Sequence, residues 1–202
     1  MGFKGKFAGF GIVVLSAVVA AGQRSVTVVV NNSAKVGPVV LSKAESEAAR
    51  LFQAAGISIR WLHCDQTDAC RRPLLPTELV VHIVRNGKTK TDFVFGEAYM
   101  GSGGLGQYSD VFFDRVKGAG DNTDIGCLLG VVVAHELGHL LLGSRAHSQI
   151  GIMEPVWEQD SVRKVRMGML LFTPEQARLM RRRIEGGQPA QFEASSRERR
   201  RF

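Results

Sequence analysis

The chain has 202 residues, 45% of them hydrophobic, and a formal net charge of +7. That length and apolar content support one domain with a buried core and exclude two large ones. The charge sits at the ends, +2 from Lys4 and Lys6 and +5 (eight Arg, three Glu) from Arg178 to Phe202, so the body between has 16 basic and 16 acidic residues and no basis for a nucleic-acid-binding face.

At the start, Lys4 and Lys6 precede an apolar run from Phe7 to Ala21, and the small residues Val19 and Ala21 sit where a signal peptidase reads the chain. Residues 1–21 are therefore expected to be a secretory signal. The run is shorter than the roughly 20 residues of a membrane span, so no stable membrane insertion is expected after cleavage. The mature protein is placed outside the cytoplasm, secreted or periplasmic.

Ser25 to Val30 is short and β-branched, as a buried strand would be. From Val40 to Ala55, Leu41, Ala44, Ala48, Leu51, Phe52 and Ala55 recur at helical spacing, and Gly56 ends the run. Ile57, Ile59 and Trp61 then alternate with Ser58 and Arg60, predicting a half-buried strand. Cys64 and Cys70 are close enough to close a small disulfide loop in an oxidising compartment. Cys127 is left over and reads as a buried thiol.

ELVVHIVR supplies a third strand and GQYSDVFFDRV a fourth, with no helical signal between them. Gly101, Gly103 and Gly106 in GSGGLG satisfy the G-x-G-x-x-G spacing of dinucleotide sites. That motif works only between a strand and a helix N-terminus, whereas these glycines lead into a strand. They read as a flexible loop before an edge strand. Strand, helix and then several strands predict a mixed sheet with the later helices packed on it.

Thr123 or Asp124 can cap a helix through IGCLLGVVVAHELGHLLL, which is apolar on nearly every face and therefore buried. His135 and His139 are four apart on it, so both imidazoles leave one side a turn apart and can share one zinc ion. Glu136, offset by one residue, is kept off the metal but close to a water beside it. That combination of Lewis acid and base is what metal-assisted hydrolysis requires. At this chain's own frequencies H-E-x-x-H arises by accident in roughly 0.7% of sequences. A core helix without metal would also have to bury Glu136 without a partner, at a cost of several kcal/mol.

Gly143 permits the helix to end, and the turn beyond it reaches His147. Here the chain resembles the metzincin superfamily of zinc endopeptidases, whose signature is H-E-x-x-H-x-x-G-x-x-H succeeded by a Met-containing turn. His147-Ser148 and Ile152-Met153-Glu154-Pro155 are similar to the His-Ser and Met-turn of the secreted matrixin branch. The spacing is one residue longer on each side of Gly143. The resemblance implies Zn2+ held by His135, His139 and His147, Glu136 as general base, and Met153 beneath the metal without binding it. By the same analogy the strand Gly106 to Phe113 lines the cleft and pairs with an extended peptide, Tyr108 being either an oxyanion aid or packing. Two other readings stay open: a gluzincin-like hydrolase with Glu154 or Glu158 as third ligand, and a non-catalytic exported protein whose zinc is closed by four protein ligands.

Further on, Thr173, Pro174 and Gln176 form a capping box with proline at the first helical position. Ala177, Met180 and Ile184 make the apolar stripe of a last helix that Gly186 stops. The expected fold is α+β, a mixed twisted sheet with an HExxH helix, a Met-turn and a C-terminal helix. Residues 22–186 are read as a zinc metallopeptidase domain acting on a peptide or protein, and 187–202 as a disordered basic tail.

Overall fold

The computed structural model describes residues 24–87, 94–119, 124–145, 147–155, 163–165 and 167–186. The expected signal and tail, with Glu158 and Thr123, lie outside these residues. Five strands form one sheet, β1 (Ser25–Asn32), β2 (Ser58–His63), β3 (Glu78–Val84), β4 (Gly96–Tyr99) and β5 (Tyr108–Phe112), in the order β2-β1-β3-β5-β4. The first four positions in that order run parallel, and β4 closes the sheet as an antiparallel edge. The valine-rich β1 lies inside, with Val28 registered against Trp61 on one side and Leu79 on the other. Parallel strands need crossover connections, and α1 (Pro38–Ala54) supplies the one between β1 and β2.

One face of the sheet is covered by α1 and by α3 (Ile125–Leu142), on whose flank α4 (Pro174–Ile184) packs. Every residue of α3 except Ile125 and Cys127 is buried, as its uniformly apolar sequence requires. Asp124 caps it by accepting from the Cys127 N–H at 3.0 Å. On the opposite face, Val29 and Val80 pack with Ala69, Leu62, Cys64 and Leu74, Ala69 lying in the loop that the Cys64–Cys70 disulfide closes. Cys127 is half-buried, less enclosed than expected.

The fourth predicted strand requires two corrections. It ends at Phe112, and Phe113–Ala119 forms a short helix, α2, with Asp114 in its first turn and Lys117 in its last. The burial of Val111, Phe112 and Val116 fits either period over so short a stretch, so periodicity does not mark where strand gives way to helix. Nor is it an edge strand, since β5 is flanked by β3 on one side and by β4 on the other. The edge is β4, a strand with no hydrophobic signature because its inward residues are the two smallest, Gly96 and Ala98.

Candidate metal centre

The site is built on the last two turns of α3. His135, Glu136 and His139 are all buried there, and the two histidines place their Nε2 atoms 3.1 Å apart. Their Nδ1 atoms are occupied elsewhere. His135 Nδ1 is 2.7 Å from the carbonyl oxygen of Ile152, and His139 Nδ1 is 2.8 Å from that of Ser144. A carbonyl only accepts, so each Nδ1 carries the proton and each Nε2 points its lone pair at the other. Facing lone pairs repel each other and suit a shared cation. Two nitrogens each bound to one zinc at 2.0–2.1 Å lie about 3.3 Å apart at a tetrahedral angle, close to what is found.

The chain then turns to deliver a third imidazole. Gly143 adopts φ 66°, ψ 26°, and its N–H returns to the His139 carbonyl at 3.0 Å. His147 comes next to the pair, its ring centroid 5.4 Å from that of His135 and 4.9 Å from that of His139. The ligand atoms of His135, His139 and His147 all lie within 4.8 Å of one another. The two extra residues around Gly143 are thus absorbed, with Ser144 O turned back onto His139. In the glycine-rich loop before β5, a Cβ on Gly104 would lie 2.3 Å from the Gly143 carbonyl oxygen, so that loop packs backbone to backbone on the end of α3.

Met153 is fully buried against α3, where a Cβ at Gly138 would come within 2.8 Å of its sulfur. The turn carrying it is tied on several sides. Ser148 N–H donates to Met153 O at 2.9 Å, and Ile152 N–H donates to Leu171 O at 3.0 Å. The buried Gln176, third residue of the α4 capping box, donates to Ser148 Oγ at 3.0 Å. Gln176 therefore links the final helix to the turn after His147, a role its place in the capping box did not suggest.

The histidines open into a cleft of about 210 Å³ with Glu136, Arg145 and Glu154 around it and residues 94–98 of β4 and its approach along one wall. Tyr108 is not part of that lining, and the strand beside the cleft is β4 rather than Gly106 to Phe113. Glu154 stands at the wall, outside the histidine cluster. Gly96 makes the close approach possible, because a Cβ there would be 2.7 Å from both Cγ and Oε1 of Glu136.

Electrostatics favour a cation. Burial, then the neighbouring imidazoles, lowers the pKa of His135 to about 3, and burial foremost lowers that of His139 to about 4 and also depresses His147. All three are neutral at pH 7, the form that ligates metal. Burial, with a smaller contribution from Glu97, raises Glu136 to about 8. A dication among the histidines opposes that shift and favours the carboxylate. Three neutral donors, two of them with their tautomers fixed by carbonyls, and a buried carboxyl beside them fit a zinc ion.

No protein-family model matches the chain, and no curated protein matches it. Solved structures do. An archaemetzincin from Methanopyrus kandleri aligns with TM-score 0.51 at 15% identity, over 83% of this chain and 99% of that one. A zinc-dependent peptidase from Methanocorpusculum labreanum aligns with TM-score 0.53 at 15% identity, over 76% of this chain and 99% of that one. The fold is therefore similar to that of archaemetzincin, a mixed five-stranded sheet with the histidine-bearing helix packed against it.

Proposed function

We propose that the protein is an exported zinc metallopeptidase of metzincin type, with residues 22–186 as its catalytic domain and residues 1–21 directing export. The observation that carries this reading is the convergence of His135, His139 and His147 beside a buried Glu136, next to a sheet edge. The structural neighbours, an archaemetzincin and a protein described as a zinc-dependent peptidase, support it. The His-Ser pair and the buried Met153 support the matrixin-like form.

His135, His139 and His147 hold the ion, and the Ile152 and Ser144 carbonyls keep two of the rings turned toward it. When bound, zinc supplies Lewis acidity toward a water and the scissile carbonyl. Glu136 Oε1, the oxygen that Gly96 leaves room for, accepts the proton of the attacking water and returns it to the departing amine. An extended peptide lies along the outer edge of β4, where main-chain groups away from β5 pair with it. This assigns to β4 the substrate contact expected of Gly106 to Phe113.

The test is Glu136→Gln. It is expected to retain one zinc per chain and to lose about 10² to 10⁴ in kcat. Loss of the metal in that variant would make Glu136 a ligand, and an unchanged rate would remove it from the chemistry. Sequencing the N-terminus of the protein recovered from culture supernatant or periplasm tests export.

A further inference from the structure

A second cavity of about 530 Å³, more than twice the size of the metal cleft, opens at the starts of β1, β3 and β5, between the sheet and the ends of α3 and α4. This lies within the usual range for small-molecule sites. Its walls are mainly apolar, with Val26, Leu79, Leu140, Leu141 and Ile184 among them and polar Gln107 beside them. At its mouth Leu105 and Tyr108 are 59% and 54% exposed. Leu141 lies six residues beyond His135 on α3, roughly 120° around the helix, so this cavity and the metal cleft occupy different flanks.

Among the described residues one charged side chain lines the cavity, that of Arg183. It is half-buried, and burial lowers its pKa. Among the described residues it makes no ion pair or hydrogen bond. Its neighbours on α4 are engaged: Arg178 with Glu175 at 2.6 Å, and Arg181 with the Ala55 carbonyl at 2.6 Å. Glu185, the carboxylate nearest in sequence, is taken by Arg24. A guanidinium drawn partly out of water without a counter-charge is costly, and an anionic ligand supplies what the described residues do not. A single planar fork matches one carboxylate bidentately, and among the described residues the lining holds no second cation for a more highly charged group.

We propose that this cavity binds an aliphatic monocarboxylate of the fatty-acid class, its carboxylate on Arg183 and its chain between the sheet and Leu140 and Leu141. The site is separate from the metal centre and does not depend on the peptidase reading.

Isothermal titration of the zinc-loaded protein with laurate, below its micellar concentration, is expected to show saturable binding of one laurate per chain. Dodecanol, of equal chain length without the charge, is expected to bind at least roughly tenfold more weakly, and Arg183→Gln to weaken laurate by a similar factor. Arg183→Lys, which keeps the charge and loses the fork, should fall between. A hydroxamate at the metal centre should leave laurate binding unchanged. Because the Arg183 head makes no bond among the described residues, Arg183→Gln should melt as the parent does. No saturable laurate binding, equal affinity for dodecanol, equal affinity in Arg183→Gln, or displacement by the hydroxamate would each overturn the proposal.

Discussion

Gly96→Ala places a methyl group where the structure has no room for one. Its Cβ would sit 2.7 Å from Glu136 Oε1, 2.7 Å from Glu136 Cγ and 2.7 Å from the Asp110 carbonyl oxygen. Ordinary contacts of this kind begin near 3.4 Å, so about 0.7 Å of relief must be found. The Asp110 oxygen belongs to β5, which is held between two strands, and its displacement would break the sheet ladder. The Glu136 side chain is the softer partner and moves away. Displacement of a catalytic group by about 1 Å costs on the order of 10²-fold in rate, and the overpacking itself costs about 1–3 kcal/mol of stability. The assay is kcat on a peptide substrate together with zinc content and a thermal melt. The expected variant is folded, carries one zinc per chain and is about a hundredfold slower at saturating substrate. A kcat within threefold of the parent, in folded and zinc-loaded protein, would refute the idea that Gly96 sets the position of Glu136.

His147→Ala should weaken zinc by more than about 100-fold in a chelator competition, since losing groups that only orient the ligands already costs 10–100-fold; Glu154→Ala should leave it nearly unchanged, because Glu154 lies outside the histidine cluster. Glu78 is 1% exposed and bonded to Arg72 at 2.6 Å, and the guanidinium holds its pKa at about 2 against an ordinary 4.5. A depressed carboxyl pKa stabilises the fold above the unfolded value and loses that contribution as pH falls toward 2. Urea titrations of Arg72→Gln should therefore show a stability deficit above pH 5 that shrinks away as pH falls toward 2. Replacing both Cys64 and Cys70 by serine opens a loop of sequence separation 6 and should lower stability by about 2 kcal/mol, with zinc content unchanged because that loop covers the far face of the sheet.

The metal-site geometry was legible because its chemistry is local. Four residues of spacing put His135 and His139 on one side of a helix, and an apolar sequence on every face announced that the helix was buried. The arrival of His147 was harder, since each added residue rotates a helix exit by about 100° and only the backbone path shows how Gly143 and Ser144 absorb it. The edge strand β4 was missed for a different reason. Hydrophobic alternation reveals a strand when its inward side chains are large, and here they are Gly96, against which Glu136 leaves no room for a Cβ, and Ala98. The helix α2 was missed because seven residues give too little period to separate it from the strand before it. The cavity at Arg183 depends on residues from both ends of the described chain, and a linear reading sees only one arginine among several.

The uniform apolarity of α3 also bears on how the protein is made. Ile125–Leu142 is long and apolar enough to cross a membrane by length and composition, about 27 Å as a helix. Until it is folded, a bilayer competes with the protein core for the same 18 residues. The sheet and α1 precede it in the chain and can receive one side as it emerges, but α4 is synthesised later and the remaining flank waits for it. During that interval Glu136 acts as a deterrent, since a carboxylate near the middle of a spanning segment costs about 3 kcal/mol. A carboxylate at this position thus disfavours insertion of the unfolded segment into lipid. Substituting it with leucine would create a segment that biogenesis machinery could mistake for an anchor.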